Sequence, residues 1–122
     1  MKIMKKFLFL DDSQERHNMF LEILRSTGKP CWTSSCHTVD EAIHDLKEYS
    51  PFDCVYLDHD LDDTDPHKTG MAVAEFIALH LDRDLLPKKV IIHSHNPDGA
   101  TRMAKIIRES GIPVEKIPFI IN

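Results

Sequence analysis

Three short apolar segments of this chain each run directly into acidic, hydroxyl or imidazole side chains. The segments are residues 7–10, 54–57 and 90–92, and the polar residues that follow them are Asp11 and Asp12, then Asp58, His59 and Asp60, then His93, Ser94 and His95. Short apolar runs rich in β-branched and aromatic residues are typical of buried strands. Buried carboxylates and imidazoles are costly unless a metal, a proton or a ligand compensates them. The repetition therefore predicts one site built at the ends of three strands.

The acids Asp11, Asp12 and Asp58 are the strongest indication of chemistry. Carboxylates that converge from two strands repel one another unless a cation lies between them. A hard divalent ion, Mg²⁺ or Mn²⁺, accepts one or two carboxylates and binds phosphate oxygens as well. The sequence therefore predicts a divalent metal held by these three residues. The alternative reading of Asp12 is a helix cap that binds no metal.

The histidines that follow the strands are candidates for acid–base chemistry, because imidazole titrates near neutral pH. His93 comes directly after an apolar run and is the better candidate, with His59 as the second. Asp60 shares the strand end with Asp58 and could serve as a further metal ligand or as a base. A zinc site built from histidines has no support from ligand spacing.

The acidic loop after residue 57 has only a superficial likeness to a calcium-binding loop. Counted from Asp58, its sixth position is Asp63 instead of glycine, and its twelfth is Thr69 instead of glutamate. Apart from Asp60, these acids are interpreted as a solvated turn.

Ser94 and Asn96 lie where a helix is expected to begin, since Asn96 is followed by a proline and an acid. Free backbone N–H groups at a helix start attract anions, and both side chains could donate hydrogen bonds to one. They are therefore the candidate phosphate-binding residues, although Asn96 could equally be an ordinary cap.

Strands and helices are expected to alternate along the chain. Helices are predicted at 14–26, from the capping box at Thr38 to about residue 49, at 70–81, and from Asn96 to about residue 110; strands are predicted at 7–10, 31–36, 53–57, 89–93 and 117–121. Such alternation favours parallel pairing with right-handed crossovers. The predicted fold is a three-layer α/β sandwich of the flavodoxin-like type, with about five parallel strands and helices on both faces.

Length and composition predict one globular domain over residues 1–122, with 42% hydrophobic and 29% charged residues. The net charge of −5 argues against an extended nucleic-acid surface. Three cysteines without metal-type spacing suggest free thiols, and the apolar run near the start is too short for a signal peptide. The expected location is the cytoplasm, without a membrane segment; the sequence does not indicate the oligomeric state.

The acidic pair after the first strand and the acid after the third resemble the receiver domain of two-component response regulators. That resemblance implies that Asp11 and Asp12 hold Mg²⁺, that Asp58 accepts a phosphoryl group, and that Ser94 is the hydroxyl after strand four. The receiver lysine belongs at the end of the fifth strand, whereas Lys116 is expected to begin the last strand, at the opposite end of the sheet. No fifth helix is expected.

A narrower resemblance rests on Leu10-Asp11-Asp12, the LDHDL element at 57–61, Thr69-Gly70, the HSHNP element at 93–97, and Met103. These elements are similar to those of the cyclic-phosphate-processing receiver-like family, a derived receiver fold. The resemblance implies action on cyclic phosphate ends or nucleotides in RNA repair or biological conflict. The Arg-Pro that usually follows the first acidic pair is replaced here by residues 13–16.

The leading functional hypothesis is a metal-dependent phosphoesterase that acts on a cyclic phosphate in a nucleotide or at an RNA end. The metal would activate a bound water, His93 or His59 would act as acid or base, and Ser94 and Asn96 would hold phosphate oxygens. The first alternative is a non-enzymatic receiver domain that is phosphorylated on Asp58. The second is a nucleotide-binding module without turnover.

Overall fold

The structure is a computed structural model and describes residues 4–62 and 64–117. Strands and helices alternate, as the sequence predicts. The strands are β1 (Lys5–Leu10), β2 (Cys31–Cys36), β3 (Cys54–Leu57), β4 (Val90–Ile92) and β5 (Val114–Lys116). The helices are α1 (Gln14–Ser26), α2 (Val39–Tyr49), α3 (Gly70–His80) and α4 (Pro97–Glu109), with one 3₁₀ turn at Arg83–Leu85.

All five strands run parallel in one sheet, in the order β2-β1-β3-β4-β5. The last residues of the central strands are in register, because Leu10 pairs with Leu57 and Leu57 pairs with Ile92. Ile92 in turn pairs with Lys116, the last residue of β5. The side chains that follow β1, β3 and β4 therefore emerge side by side at one edge of the sheet.

The two faces of the sheet are covered by different kinds of side chain. Leu8, Leu10 and Leu57 are fully buried on the face that packs against α2, α3 and α4. Phe9 lies on the opposite face and stacks on Phe20 of α1, with 4.3 Å between the ring centroids. Helices thus cover both faces, and the predicted three-layer flavodoxin-like architecture is confirmed.

Side chains in the loops fix where the helices begin. Ser13 accepts a hydrogen bond from the backbone of Arg16, and Asn96 accepts one from Gly99, at the first turns of α1 and α4. The capping box predicted at Thr38 is present. These caps satisfy N–H groups that have no partner inside the helix, and they fix the direction in which each helix leaves the sheet.

The last described strand differs from the predicted one. It forms at Val114–Lys116, before the predicted range of 117–121, and it pairs with β4 from Val90 onward. Of the predicted range, Ile117 follows the strand and the remaining residues lie outside the described part of the chain. Within residues 4–62 and 64–117, no helix is both long and apolar enough to cross a membrane.

Candidate functional site

Asp11, Asp58 and His93 meet at the carboxyl edge of the sheet. The backbone N–H of Asp58 donates to Leu10 (3.1 Å), and that of His93 donates to Leu57 (3.0 Å), so the parallel pairing continues one residue beyond the strands. One potential metal-ligating atom from each of the three residues lies within 4.8 Å of the others, and all three residues are buried. The geometry brings together the acids and the imidazole that the sequence placed on three separate strands.

Asp11 is the most heavily bonded member of this group. Its Oδ1 accepts the backbone N–H of Ser13 at 2.8 Å, and its Oδ2 accepts Arg16 Nε at 2.7 Å. His93 Nε2 lies 3.0 Å from the same Oδ2. Burial alone would raise the pKa of Asp11, but the hydrogen bonds from His93 and Arg16 outweigh burial and hold its pKa below the usual range. Asp11 is therefore ionised at any physiological pH.

Asp58 has a different environment, although it lies beside Asp11. Its carboxylate is only 9% exposed, and its ion pair with Arg16 Nη2 is loose, at 3.8 Å. Burial, reinforced by the negative charge of Asp11, raises the pKa of Asp58 to about 6. A buried carboxylate with so little compensation fits an additional cation, and carboxylate oxygens are the ligands that hard divalent ions prefer.

Asp12 lies at the rim of the site and is half-buried. Its Oδ2 accepts the backbone N–H of Asp62 at 2.7 Å, which ties the acidic loop after β3 to the end of β1. Arg16 Nη2 lies 3.5 Å from the other carboxylate oxygen. One carboxylate oxygen of Asp12 therefore fixes the loop, and the other faces the guanidinium of Arg16.

Arg16 is the site residue that the sequence did not single out. Its guanidinium contacts all three acids, Asp11, Asp12 and Asp58, from the first turn of α1. The hydrogen bond to Asp11 is the main reason that the pKa of Arg16 is raised. The signal that could have revealed it is its spacing, since Arg16 follows Asp12 by one helical turn.

His93 is buried and stacks on an aromatic ring of the sheet. Its ring lies parallel to Phe9, with 4.8 Å between centroids and 5° between planes, and the residue is 3% exposed. The stack on Phe9 thus positions the His93 ring whose Nε2 contacts Asp11. This arrangement orients His93 toward the acids.

His59 belongs to a second cluster. Its Nδ1 lies 2.7 Å from Asp60 Oδ1, and Asn96 Nδ2 donates to the same oxygen at 3.1 Å. The ring lines a groove of about 290 Å³ that Arg102 and Glu75 also line. The structure therefore places the candidates His59, Asp60 and Asn96 in contact with one another, and His59 extends into the α3–α4 groove.

Two glycines make room for the Asp58-His59 turn. A side chain at Gly70 would place its Cβ 1.9 Å from the carbonyl oxygen of Asp58, and one at Gly99 would place it 2.5 Å from the ring of His59. Contacts this short do not occur between real atoms, so both positions require glycine unless the turn itself moves.

Ser94 lies on a third surface. Its Oγ accepts the backbone N–H of Asn96 at 3.0 Å, and the residue lines a cleft beside α4 with Lys116, Thr101 and His95. Ser94 and Asn96 are thus joined by a hydrogen bond, while the Asn96 side chain also donates to Asp60. Their predicted role as phosphate-binding residues stays a prediction.

A model of the cyclic-phosphate processing receiver domain family matches residues 6–109, which is most of the chain. The chain belongs to this family. No match was found among curated proteins.

Solved structures of receiver domains are similar to this receiver domain over nearly its whole length. A response regulator receiver domain from Methylobacillus flagellatus is 18% identical, with a TM-score of 0.70, over 98% of this chain and 90% of that one. The phosphorylated cyanobacterial phytochrome response regulator RcpA is 22% identical, with a TM-score of 0.71, over 98% and 84%. The Mn²⁺-bound form of the response regulator Rcp1 is 23% identical, with a TM-score of 0.69, over 97% and 83%.

These comparisons correct the leading functional hypothesis from the sequence. That hypothesis, a metal-dependent phosphoesterase, was wrong: the similar solved structures named above are receiver domains of response regulators, and these findings give no evidence for phosphoesterase activity. The geometry also places His59 and Asp60 in a cluster apart from the group of Asp11, Asp58 and His93. The alternative hypothesis, a receiver domain, fits the findings better.

Lys116 also requires a correction, because it ends β5 instead of beginning the last strand. It therefore lies at the same edge of the sheet as Asp58. Its Cα pairs with that of Ile92, and paired residues of parallel strands point to the same face. Ile92 faces α4, whereas Asp58 and His93 come one residue later and face the other side. Lys116 therefore lies at the same edge of the sheet as Asp58, where the receiver lysine belongs, but on the α4 face, opposite to the acids.

The contact between Gly99 and His59 leads to a testable prediction. Gly99→Ala is expected to destabilise the receiver domain by about 1–3 kcal/mol, because the new methyl group overlaps a buried ring. Urea denaturation measures the loss. In a His59→Ala background the same change should cost little, since the ring is gone and alanine favours a helix. An equal loss in both backgrounds would contradict this explanation.

Proposed function

We propose that this chain is a receiver module in which Asp58 accepts a phosphoryl group from a small or protein-borne phosphodonor. A carboxylate oxygen of Asp58 attacks the phosphorus, a new O–P bond forms, and the bond to the donor's leaving group breaks. The observation that carries the proposal is the position of Asp58: a buried, poorly compensated carboxylate at the carboxyl end of the central strand β3.

The neighbouring groups support Asp58 over the other two acids as the acceptor. Asp11 accepts three hydrogen bonds, from Ser13, Arg16 and His93, and a covalent bond to phosphorus at either of its oxygens would disturb them. Asp12 is committed through one oxygen to the backbone of Asp62. Among residues 4–62 and 64–117, the one ion pair of the Asp58 carboxylate is the 3.8 Å contact with Arg16, so Asp58 is the carboxylate best able to form a new bond.

The proposal includes a divalent cation, Mg²⁺ or Mn²⁺, held by Asp11, Asp12 and Asp58. Such an ion, when bound, neutralises charge on the phosphoryl oxygens and brings donor and acceptor together. The chain's own contribution is to fix these acids on two adjacent strand ends and to hold His93 against Asp11 through the stack on Phe9. Two similar receiver structures, described as Mn²⁺-bound and as phosphorylated, support both parts of the proposal.

The proposal is tested by labelling with radioactive acetyl phosphate in the presence of Mg²⁺. The wild-type protein should acquire label, and Asp58→Asn should acquire none, because an amide oxygen does not form a stable acyl phosphate. Asp84→Asn is the matched control, since Asp84 is an exposed acid in the 3₁₀ turn. Equal labelling of wild type and Asp58→Asn would overturn the assignment of the acceptor.

A further inference from the structure

We infer that Arg16 is the cationic side chain that binds the phosphoryl group on Asp58. This inference rests on the proposed function and adds to it a residue in direct contact with the transferred group. The ligand class is a tetrahedral phosphoryl group, or a tetrahedral fluoride that imitates one.

The position of the guanidinium carries the inference. Arg16 Nη2 lies 3.8 Å from Asp58 Oδ2 and 3.5 Å from Asp12 Oδ1, so one N–H group already lies between the acceptor and the rim of the site. A phosphoryl group attached to Asp58 adds oxygens on the accessible side of that carboxylate. Those oxygens would come within hydrogen-bonding reach of Nη2 after a small movement of the side chain.

The anchoring of Arg16 is suited to such a movement. Its backbone N–H donates to Ser13 Oγ, so the helix cap fixes the start of the side chain. Its Nε is held at 2.7 Å by Asp11, whereas the contacts of Nη2 are both longer than a good hydrogen bond. A planar guanidinium can keep Nε on one acceptor while another N–H group turns to a second acceptor. One end of the head group is therefore fixed and the other is free to exchange partners.

Charge balance points to the same residue. Asp11, Asp12 and Asp58 form one acidic group, and Arg16 makes an ion pair with each of the three. Lys116 ends β5 on the opposite face, in the cleft beside α4. A phosphoryl group would add negative charge where the acids already repel one another, so a nearby permanent cation would favour its attachment.

The test compares wild type, Arg16→Lys, Arg16→Gln and the control Arg25→Gln. Arg25 is an exposed arginine in the last turn of the same helix. The probe is beryllofluoride with Mg²⁺, measured by fluorine NMR and by calorimetry, and Mg²⁺ alone is titrated separately. Thermal unfolding shows whether each variant is folded, and Arg16→Lys keeps the charge in case the neutral variant is not.

Arg16→Gln should weaken beryllofluoride binding by roughly ten- to a hundred-fold, the range expected for one charge-assisted hydrogen bond. Its affinity for Mg²⁺ alone should stay the same or rise, because removing a positive charge from an acidic group favours a cation. Arg16→Lys should bind beryllofluoride less well than wild type, because Lys lacks the planar fork.

Three results would overturn the inference. One is beryllofluoride binding by Arg16→Gln that equals wild type. Another is a parallel loss of Mg²⁺ and beryllofluoride binding in both Arg16 variants, which would show that Arg16 only holds the acids in place. The third is a failure of the folded wild type to bind beryllofluoride at all, which would overturn the proposed function itself.

Discussion

Asp11→Asn is expected to destabilise the protein by about 3 kcal/mol at pH 7, because it removes the buried carboxylate from the Asp11–Arg16 ion pair. The Asp11 carboxylate accepts hydrogen bonds from Ser13 and Arg16 and also contacts His93. An amide keeps one acceptor oxygen, and its NH₂ group opposes the remaining donors. The guanidinium then faces Asp12 and Asp58 without its strongest partner.

Urea denaturation of the metal-free protein measures this loss, and Asp12→Asn is the matched control. Asp12 is half-buried, and an Asn oxygen could still accept the N–H of Asp62, so the control should lose less than about 1 kcal/mol. Equal losses for the two variants would contradict the view that Asp11 holds the site together. The low pKa of Asp11 also means that its contribution is present above its unfolded pKa, near 4, and is lost only as the pH falls toward the lower folded value.

Asp58→Asn is expected to have the opposite effect and to stabilise the metal-free protein at pH 8 by about 1–2 kcal/mol. Folding raises the pKa of Asp58 from 3.8 to about 6. This shift means that the ionised Asp58 carboxylate destabilises the folded protein by at most about 3 kcal/mol. A group whose folded pKa is raised contributes stability below its unfolded pKa, and that contribution is lost as the pH rises through the folded pKa. Above pH 6 the buried charge on Asp58 therefore lowers the free energy of unfolding of the wild type, whereas an Asn side chain carries no charge.

The pH dependence distinguishes this explanation from a simple packing effect. The advantage of Asp58→Asn should shrink as the pH falls through about 6 and disappear only below the unfolded pKa of 3.8, where wild-type Asp58 becomes protonated in both states. Chemical denaturation in EDTA at several pH values measures it. Adding Mg²⁺ at pH 8 should stabilise the wild type more than the variant. A variant that is less stable than wild type at pH 8 would contradict the raised pKa.

Much of the architecture could be predicted because it depends on local patterns that this chain displays clearly. Apolar runs of strand length, separated by capped amphipathic helices, specify a parallel sheet with few topologies to choose from. The carboxyl ends of parallel strands share one edge, so Asp11, Asp58 and His93 could be placed together without coordinates. Their register, with Leu10 opposite Leu57 and Leu57 opposite Ile92, is what the structure added.

The details that the sequence did not reveal depend on the direction of a side chain, on its length and on the register of a strand. His59 follows Asp58 directly, yet successive side chains at a strand end point to opposite faces, so His59 enters the α3–α4 groove. Arg16 reaches the acids through a long side chain from a helix, which no strand pattern indicates. Lys116 was assigned to the wrong end of the sheet because the register of β5, a short strand, is set by pairing with β4.

Other predictions from the sequence stay predictions. They include the contact of Ser94 and Asn96 with phosphate oxygens, and the recognition of a nucleotide or an RNA end. The groove that His59 shares with Arg102 and Glu75 is a separate surface from the acidic edge. A ligand of the groove and a phosphoryl group on Asp58 could therefore be tested independently.

The most direct test of the receiver assignment is to locate a phosphoryl group by mass spectrometry. The full chain is treated with acetyl phosphate and Mg²⁺, and intact protein and peptides are analysed beside a known response-regulator receiver treated in the same way. The expected result is one added phosphoryl group, on the peptide that contains Asp58. A phosphoryl group at another residue, or an unmodified protein while the reference receiver is modified, would contradict the assignment.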